Sequence, residues 1–81
     1  MHPDEVKQLL SARLEGCSVD VSGDGSHFDL VVVGELFSGL SPVRRQQQVY
    51  AALREEIASG AIHAVNMKTY TPDEWSVRAG S

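Results

Sequence analysis

The sequence predicts an α+β fold with two layers, a small sheet covered by helices. Three observations predict it. Apolar residues recur at helical spacing in 3–15 and 41–59. Between and after those segments, 17–22, 27–37 and 62–69 read as strands by alternation or β-rich composition. Serine or threonine followed by proline, Ser41-Pro42 and Thr71-Pro72, marks two helix starts. The predicted order is helix, strand, strand, helix, strand, helix, with helices and strands segregated as in two-layer domains.

The first helix is placed at Pro3–Glu15. Val6, Leu9, Leu10 and Leu14 form its apolar stripe, Asp4 and Glu5 suit the positive end of the helix dipole, and Gly16 is its stop. His2, ahead of it, is expected in a mobile terminus. Cys17 to Ser22 alternates, with Cys17, Val19 and Val21 on the inward parity. Gly23 to Ser26 supplies turn chemistry for a hairpin. His27 to Phe37 is the strongest strand. Phe28, Leu30, Val32 and Gly34 share one face, and Val31 and Val33 make the other partly apolar, which predicts a central position. Ser41-Pro42 opens a helix with Val43, Tyr50, Leu53 and Ile57 as the buried stripe and Val49 and Ala52 beside it. It runs to Ser59 before Gly60, as one helix or as two with a bend. Ile62 to Thr69 is the third strand, with His63 on the parity of Val65 and Met67. In the last helix, Pro72 to Arg78, Thr71 and Glu74 have the spacing of a capping box.

With 81 residues, one domain spanning 1–81 is expected. The single cysteine, Cys17, cannot make an internal disulfide, which fits a reducing cytoplasmic setting. No apolar run approaches the roughly 20 residues of a membrane span, and no signal peptide is recognised, so no membrane role is expected. The formal charge of −4 argues against binding that rests on phosphate neutralisation.

Few residues carry chemistry. His2, His27, His63 and Cys17 are the borderline or soft ligands, and none forms a CxxC, HxxxH or HExxH pair. The chain can give two ligands at most from rigid elements, so any metal site needs another molecule to complete it. Taken alone, Cys17 reads as a small core residue, and His27 and His63 as histidines satisfied at strand ends. There is no GxSxG, so nucleophilic catalysis is not expected, and Gly34 to Gly39 lacks the Lys-Ser/Thr ending of a P-loop. For nucleic acid, Arg44 and Arg45 at a helix start, with Lys68, are the candidates.

Three motifs in order, SGDGSHF, VGELFSGLSPVRRQQQVYAAL and IHAVNMKTYTPDEW, resemble the BolA family, most closely its small bacterial IbaG/YrbA-type branch. The resemblance spans about Val19 to Trp75. It implies a class II KH-like fold, order α-β-β-α-α-β-α, with a three-stranded mixed sheet. It also implies a non-enzymatic partner of a monothiol glutaredoxin, the heterodimer sharing a 2Fe-2S cluster in iron homeostasis and cluster trafficking. The family's C-terminal histidine ligand falls on His63. A second ligand lies in the family's first hairpin loop; here that loop has neither Cys nor His, and His27 at its end is the nearest candidate. The partner would add a cysteine, and glutathione the fourth ligand. The isolated chain is expected to hold no cofactor and to be a monomer or weak homodimer. The family's alternative role is stress-linked transcriptional regulation through DNA, for which the helix carrying Arg44 and Arg45 would be the contact.

Overall fold

The computed structural model describes residues 1–25 and 27–79. The element order is α1 (Pro3–Arg13), β1 (Ser18–Asp24), β2 (His27–Val33), a 3₁₀ turn (Glu35–Phe37), α2 (Pro42–Ala52), α3 (Arg54–Ser59), β3 (Ala64–Tyr70) and α4 (Pro72–Ala79). The sheet order is β1-β2-β3. β1 pairs antiparallel with β2, and β2 pairs parallel with β3, so the sheet is mixed and β2 is central as expected.

Strand parity decides the layers. Phe28, Leu30 and Val32 of β2 are buried, together with Val19 of β1. They meet Val6, Leu10 and Leu14 from the first helical segment, Phe37 from the 3₁₀ turn, and Val49, Leu53 and Ile62 in one apolar cluster. Burying a side chain of this size contributes about 1.5–3 kcal/mol. The opposite parity, Ser18, Asp20, Ser22, Asp29, Asn66 and Lys68, is exposed and forms an open face. There Asn66 Nδ2 donates to Asp29 Oδ1 at 3.3 Å across the parallel pair.

Several boundaries differ from the sequence reading. α1 ends at Arg13, not Glu15, because Leu14 leaves helical geometry while its N–H still reaches Leu10 O at 2.7 Å. His2 is the N-cap of α1. Its Nδ1 accepts the Asp4 N–H at 3.1 Å, and its own N–H donates to Glu5 Oε1 at 2.9 Å, so it is tied into the helix start. Gly23 and Asp24 belong to β1, paired with Phe28 and His27, which leaves a tighter connection than the expected loop. Ser26 lies outside the described residues. β2 stops at Val33, and Glu35–Phe37 turns so that Phe37 is buried rather than extended in a strand. β3 begins at Ala64 and runs to Tyr70.

The helical segment after Ser41 is two helices. The break is at Leu53, with φ −108° and ψ 12°, whose N–H is shared between Val49 O at 3.2 Å and Tyr50 O at 3.1 Å. No proline or glycine causes it. Leu53 is fully buried, and Arg13 Nη1 donates to the carbonyl of Ala52 at 2.7 Å, so packing and a distant arginine hold the bend.

The buried face of these helices also differs. Val49 and Leu53 are inward, whereas Val43, Tyr50 and Ile57 are 62%, 42% and 38% exposed. The inward row instead includes Arg45 and Glu56, half-buried through their aliphatic stems. Their charged ends are paired with other elements. Arg45 forms a two-bond pair with Glu74 at 2.6 and 3.1 Å, and Arg13 forms one with Glu56 at 2.6 and 3.2 Å.

α4 starts as the sequence predicts. Thr71 Oγ1 accepts the Glu74 N–H at 3.2 Å, and Glu74 Oε1 accepts the Thr71 N–H at 2.8 Å. The ring of Trp75 lies 5.3 Å from that of Tyr70, and the Arg78 guanidinium sits 5.5 Å from the Tyr70 centroid. These contacts lay α4 back along the end of β3. Among the described residues, no helix is long and apolar enough to cross a membrane.

Candidate functional site

His63 is exposed and lies one residue before β3. Both sides of it are anchored. Ile62 is buried and its N–H donates to Glu56 O at 3.1 Å, and Ala64 opens the pairing with His27. Gly60 ends α3 in the left-handed region, φ +83°, the usual way for glycine to stop a helix. The Nε2 of His63 lies 3.7 Å from where a β-carbon on Gly60 would stand. The imidazole is thus turned toward the end of the helical layer, solvent-exposed on a fixed backbone. Gly60 registers in the sequence only as a helix stop. Its place beside the ring comes from the tight turn between α3 and β3.

His27 is the first residue of β2 and is also exposed. Its pairing with Ala64 brings its backbone to the same end of the sheet as His63. Parallel register does this, and no local spacing encodes it. The side chains leave on different sides. His27 has the parity of Asp29, on the open face, while His63 leans toward Gly60.

Cys17 is placed elsewhere. β1 begins at Ser18, paired with Val33, six residues along β2 from His27, or about 20 Å. Its sulfur packs against Gly34, and burial raises its thiol pKa. A thiol held protonated that far from both histidines does not belong to their site.

The donor set tests whether an iron-sulfur group fits. Among the described residues, no three His, Cys, Asp or Glu side chains gather into a metal site. The described residues present two exposed imidazoles whose backbones meet at one sheet end. That donor set would fit a group whose remaining ligands come from another molecule.

The basic candidates do not form one surface. Arg44 is exposed on α2, and Lys68 is exposed on the open face of β3. Arg45 is held by Glu74, and its Nε donates to Leu40 O at 3.0 Å.

Comparison with known proteins agrees with this architecture. Residues 7–74 match the family model described as BolA-like protein. The acid stress protein IbaG of Escherichia coli K12 is 51% identical over 76 residues, covering 94% of this chain and 90% of that protein. A protein from the rpoN-murA intergenic region of Acinetobacter guillouiae is 43% identical, covering 93% and 90%. Among solved structures, a bolA protein homologue from Coxiella burnetii superposes with a TM-score of 0.86 at 38% identity, over 94% of this chain and 97% of that one.

Proposed function

The chain belongs to the BolA-like family, and from that premise we propose that it is a cytoplasmic, non-enzymatic partner of a monothiol glutaredoxin, the two sharing a 2Fe-2S cluster. His63 is the ligand this chain contributes, and His27 the second. The partner's cysteine and glutathione complete the set. The observation that carries the reading is His63 itself: an exposed imidazole on an anchored backbone, at a surface where no third His, Cys, Asp or Glu joins it among the described residues. When bound, the group supplies one-electron chemistry, and imidazole in place of thiolate raises its potential.

The chain's own part is to present neutral imidazole nitrogen, since the protonated ring cannot ligate. The anchors at Ile62 and Ala64 fix the backbone on both sides. The rings leave from different sides of the sheet end, so bringing both to one shared group would require a side-chain rotation. Exposed side chains make such rotations readily. The name of the Escherichia coli relative ties that protein to acid stress, and a stress-linked role in iron homeostasis is part of this proposal.

The test is to mix the chain with a monothiol glutaredoxin, iron, sulfide and glutathione. The expected product is a heterodimer whose visible absorption and circular dichroism differ from those of the glutaredoxin homodimer. His63→Ala keeps the fold and loses that distinct spectrum. An unchanged spectrum in His63→Ala removes the assignment. His27→Ala separates a two-imidazole site, whose spectrum changes, from one in which His63 acts alone.

A further inference from the structure

We propose that the outward face of α2 and α3 is a docking seam for an acidic amphipathic helix of a partner protein. Val43, Gln47, Tyr50, Arg54 and Ile57 follow one another at intervals of four, three, four and three. That is the spacing with which one helix packs along another, carried by α2 as far as Tyr50 and by α3 from Arg54 on, beyond the bend. The apolar members, Val43, Tyr50 and Ile57, are 62%, 42% and 38% exposed, so the seam faces solvent while Val49 and Leu53 face the core. A single run of chain thus has two apolar faces, and only one is used in the fold.

The surface is shallowly concave along this face. A groove of about 460 Å³ crosses the bend at Leu53, lined by Gln47, Tyr50, Ala51, Arg54, Ile57 and Ala58. Ala51 and Ala58 are the small side chains among larger neighbours, which is how a hole accepts a knob.

Charge decides the occupant. Among the described residues, neither Arg44 nor Arg54 has an ion-pair partner, whereas Arg13 and Arg45 are held by Glu56 and Glu74. Arg54 lines this groove and Arg44 the adjoining one, which shares Gln47 and Ala51. They stand on either side of the bend, Arg44 in α2 and Arg54 at the start of α3. Carboxylates on a partner helix, placed to reach both sides of that bend, meet the two guanidinium groups. Glu55 shares a neighbouring hollow with Arg13, Arg54, Ala51 and Ala52, and among the described residues it forms no ion pair with Arg54. A second copy is disfavoured, because a two-fold contact through this face sets arginine against arginine. Nucleic acid is disfavoured by the apolar centre, the small number of free arginines and the net charge of −4. The proposal does not rest on the cluster reading, and His63→Ala leaves the seam intact.

The probe is a synthetic helical peptide of about 18 residues, five turns. It carries leucines at three-four spacing and two glutamates placed to face Arg44 and Arg54; a matched peptide carries lysines instead. Each is titrated into the isotope-labelled full chain. The glutamate peptide should shift the amide resonances of Val43 through Ile57, and the lysine peptide should bind about tenfold more weakly. Arg44→Glu with Arg54→Glu, both exposed changes, should reverse that preference. Tyr50→Ala with Ile57→Ala should weaken binding by about tenfold or more in a chain whose amide spectrum shows it still folded. Equal binding of the two peptides, or shifts elsewhere on the molecule, overturns the proposal. So does the same set of shifts produced by raising the chain's own concentration or by a single-stranded oligonucleotide, with none from the peptide.

Discussion

Gly34 follows the central strand, and its constraint is space. Its φ of −168° is extended backbone open to any residue, but a β-carbon there would run into the sulfur of Cys17. The buried position just beyond that strand therefore carries no side chain, because the thiol fills the volume. Gly34→Ala should cost about 1–3 kcal/mol, the range for overpacking a filled site. Cys17→Ala in the same chain should recover much of it, since the two sites are in contact and their effects are not additive. Urea unfolding of the two single variants and the double variant measures this. Equal losses with and without the cysteine would show that the contact is not what excludes alanine. The same contact gives Cys17 a packing role, as its inward parity in the sequence suggests. For His63 the position of the residue was legible and its setting was not. Parallel pairing of His27 with Ala64 and the approach of the ring to Gly60 both depend on a crossover through two helices.

At the level of elements, the start of α4 and the face of α2 mark what sequence can and cannot specify. Thr71, Pro72 and Glu74 lie within four residues, and their reciprocal hydrogen bonds form as the motif predicts. Thr71→Ala should cost about 1 kcal/mol, the usual loss for a capping hydroxyl. Thr71→Ser should retain most of the stability, and an alanine variant as stable as the wild type would show that the cap is not needed. The buried face of α2 and α3 is set by partners far away in the chain. Glu74 is 29 residues from Arg45, and Glu56 is 43 from Arg13. Those pairs let two charged residues sit on the inward row, and a count of apolar residues then favours the wrong face. Val43, Tyr50 and Ile57 do form a stripe at helical spacing, but it points outward. The bend at Leu53 escapes a sequence reading for the same reason, since it is held by core packing and by Arg13 rather than by a helix-breaking residue.

Across the whole molecule, the two arginine-carboxylate pairs tie α1 to α3 and α2 to α4, so the helical layer is cross-braced by charge. This has a defined pH dependence. The Arg45 guanidinium, together with the Thr71 N–H, holds the Glu74 carboxyl at about 2, down from 4.5. Arg13 lowers Glu56 in the same way. A carboxylate whose folded pKa is depressed stabilises the fold fully above its unfolded value, and that stability is lost as pH falls toward the folded value. The Arg45–Glu74 brace should therefore hold unchanged from neutrality down to about pH 4.5 and weaken progressively from there to about pH 2, and the Arg13–Glu56 brace should weaken in the same direction below 4.5. Both arginines stay charged throughout, so only the carboxylates titrate. Glu74→Gln keeps an oxygen for the Thr71 N–H and removes the charge. Its urea midpoint should lie below that of the wild type at pH 7 by a fixed amount, and the gap should close as the pH is lowered from 4.5 to 2.5. Added salt should narrow the gap at pH 7, because the pair is partly exposed. Glu56→Gln acts on the other brace, with no shared partner, so the double variant should lose the sum of the two and show the flattest acid profile. A gap that stays constant from pH 7 to 2.5 would show that the pair contributes through shape alone and that its charge does not brace the layer.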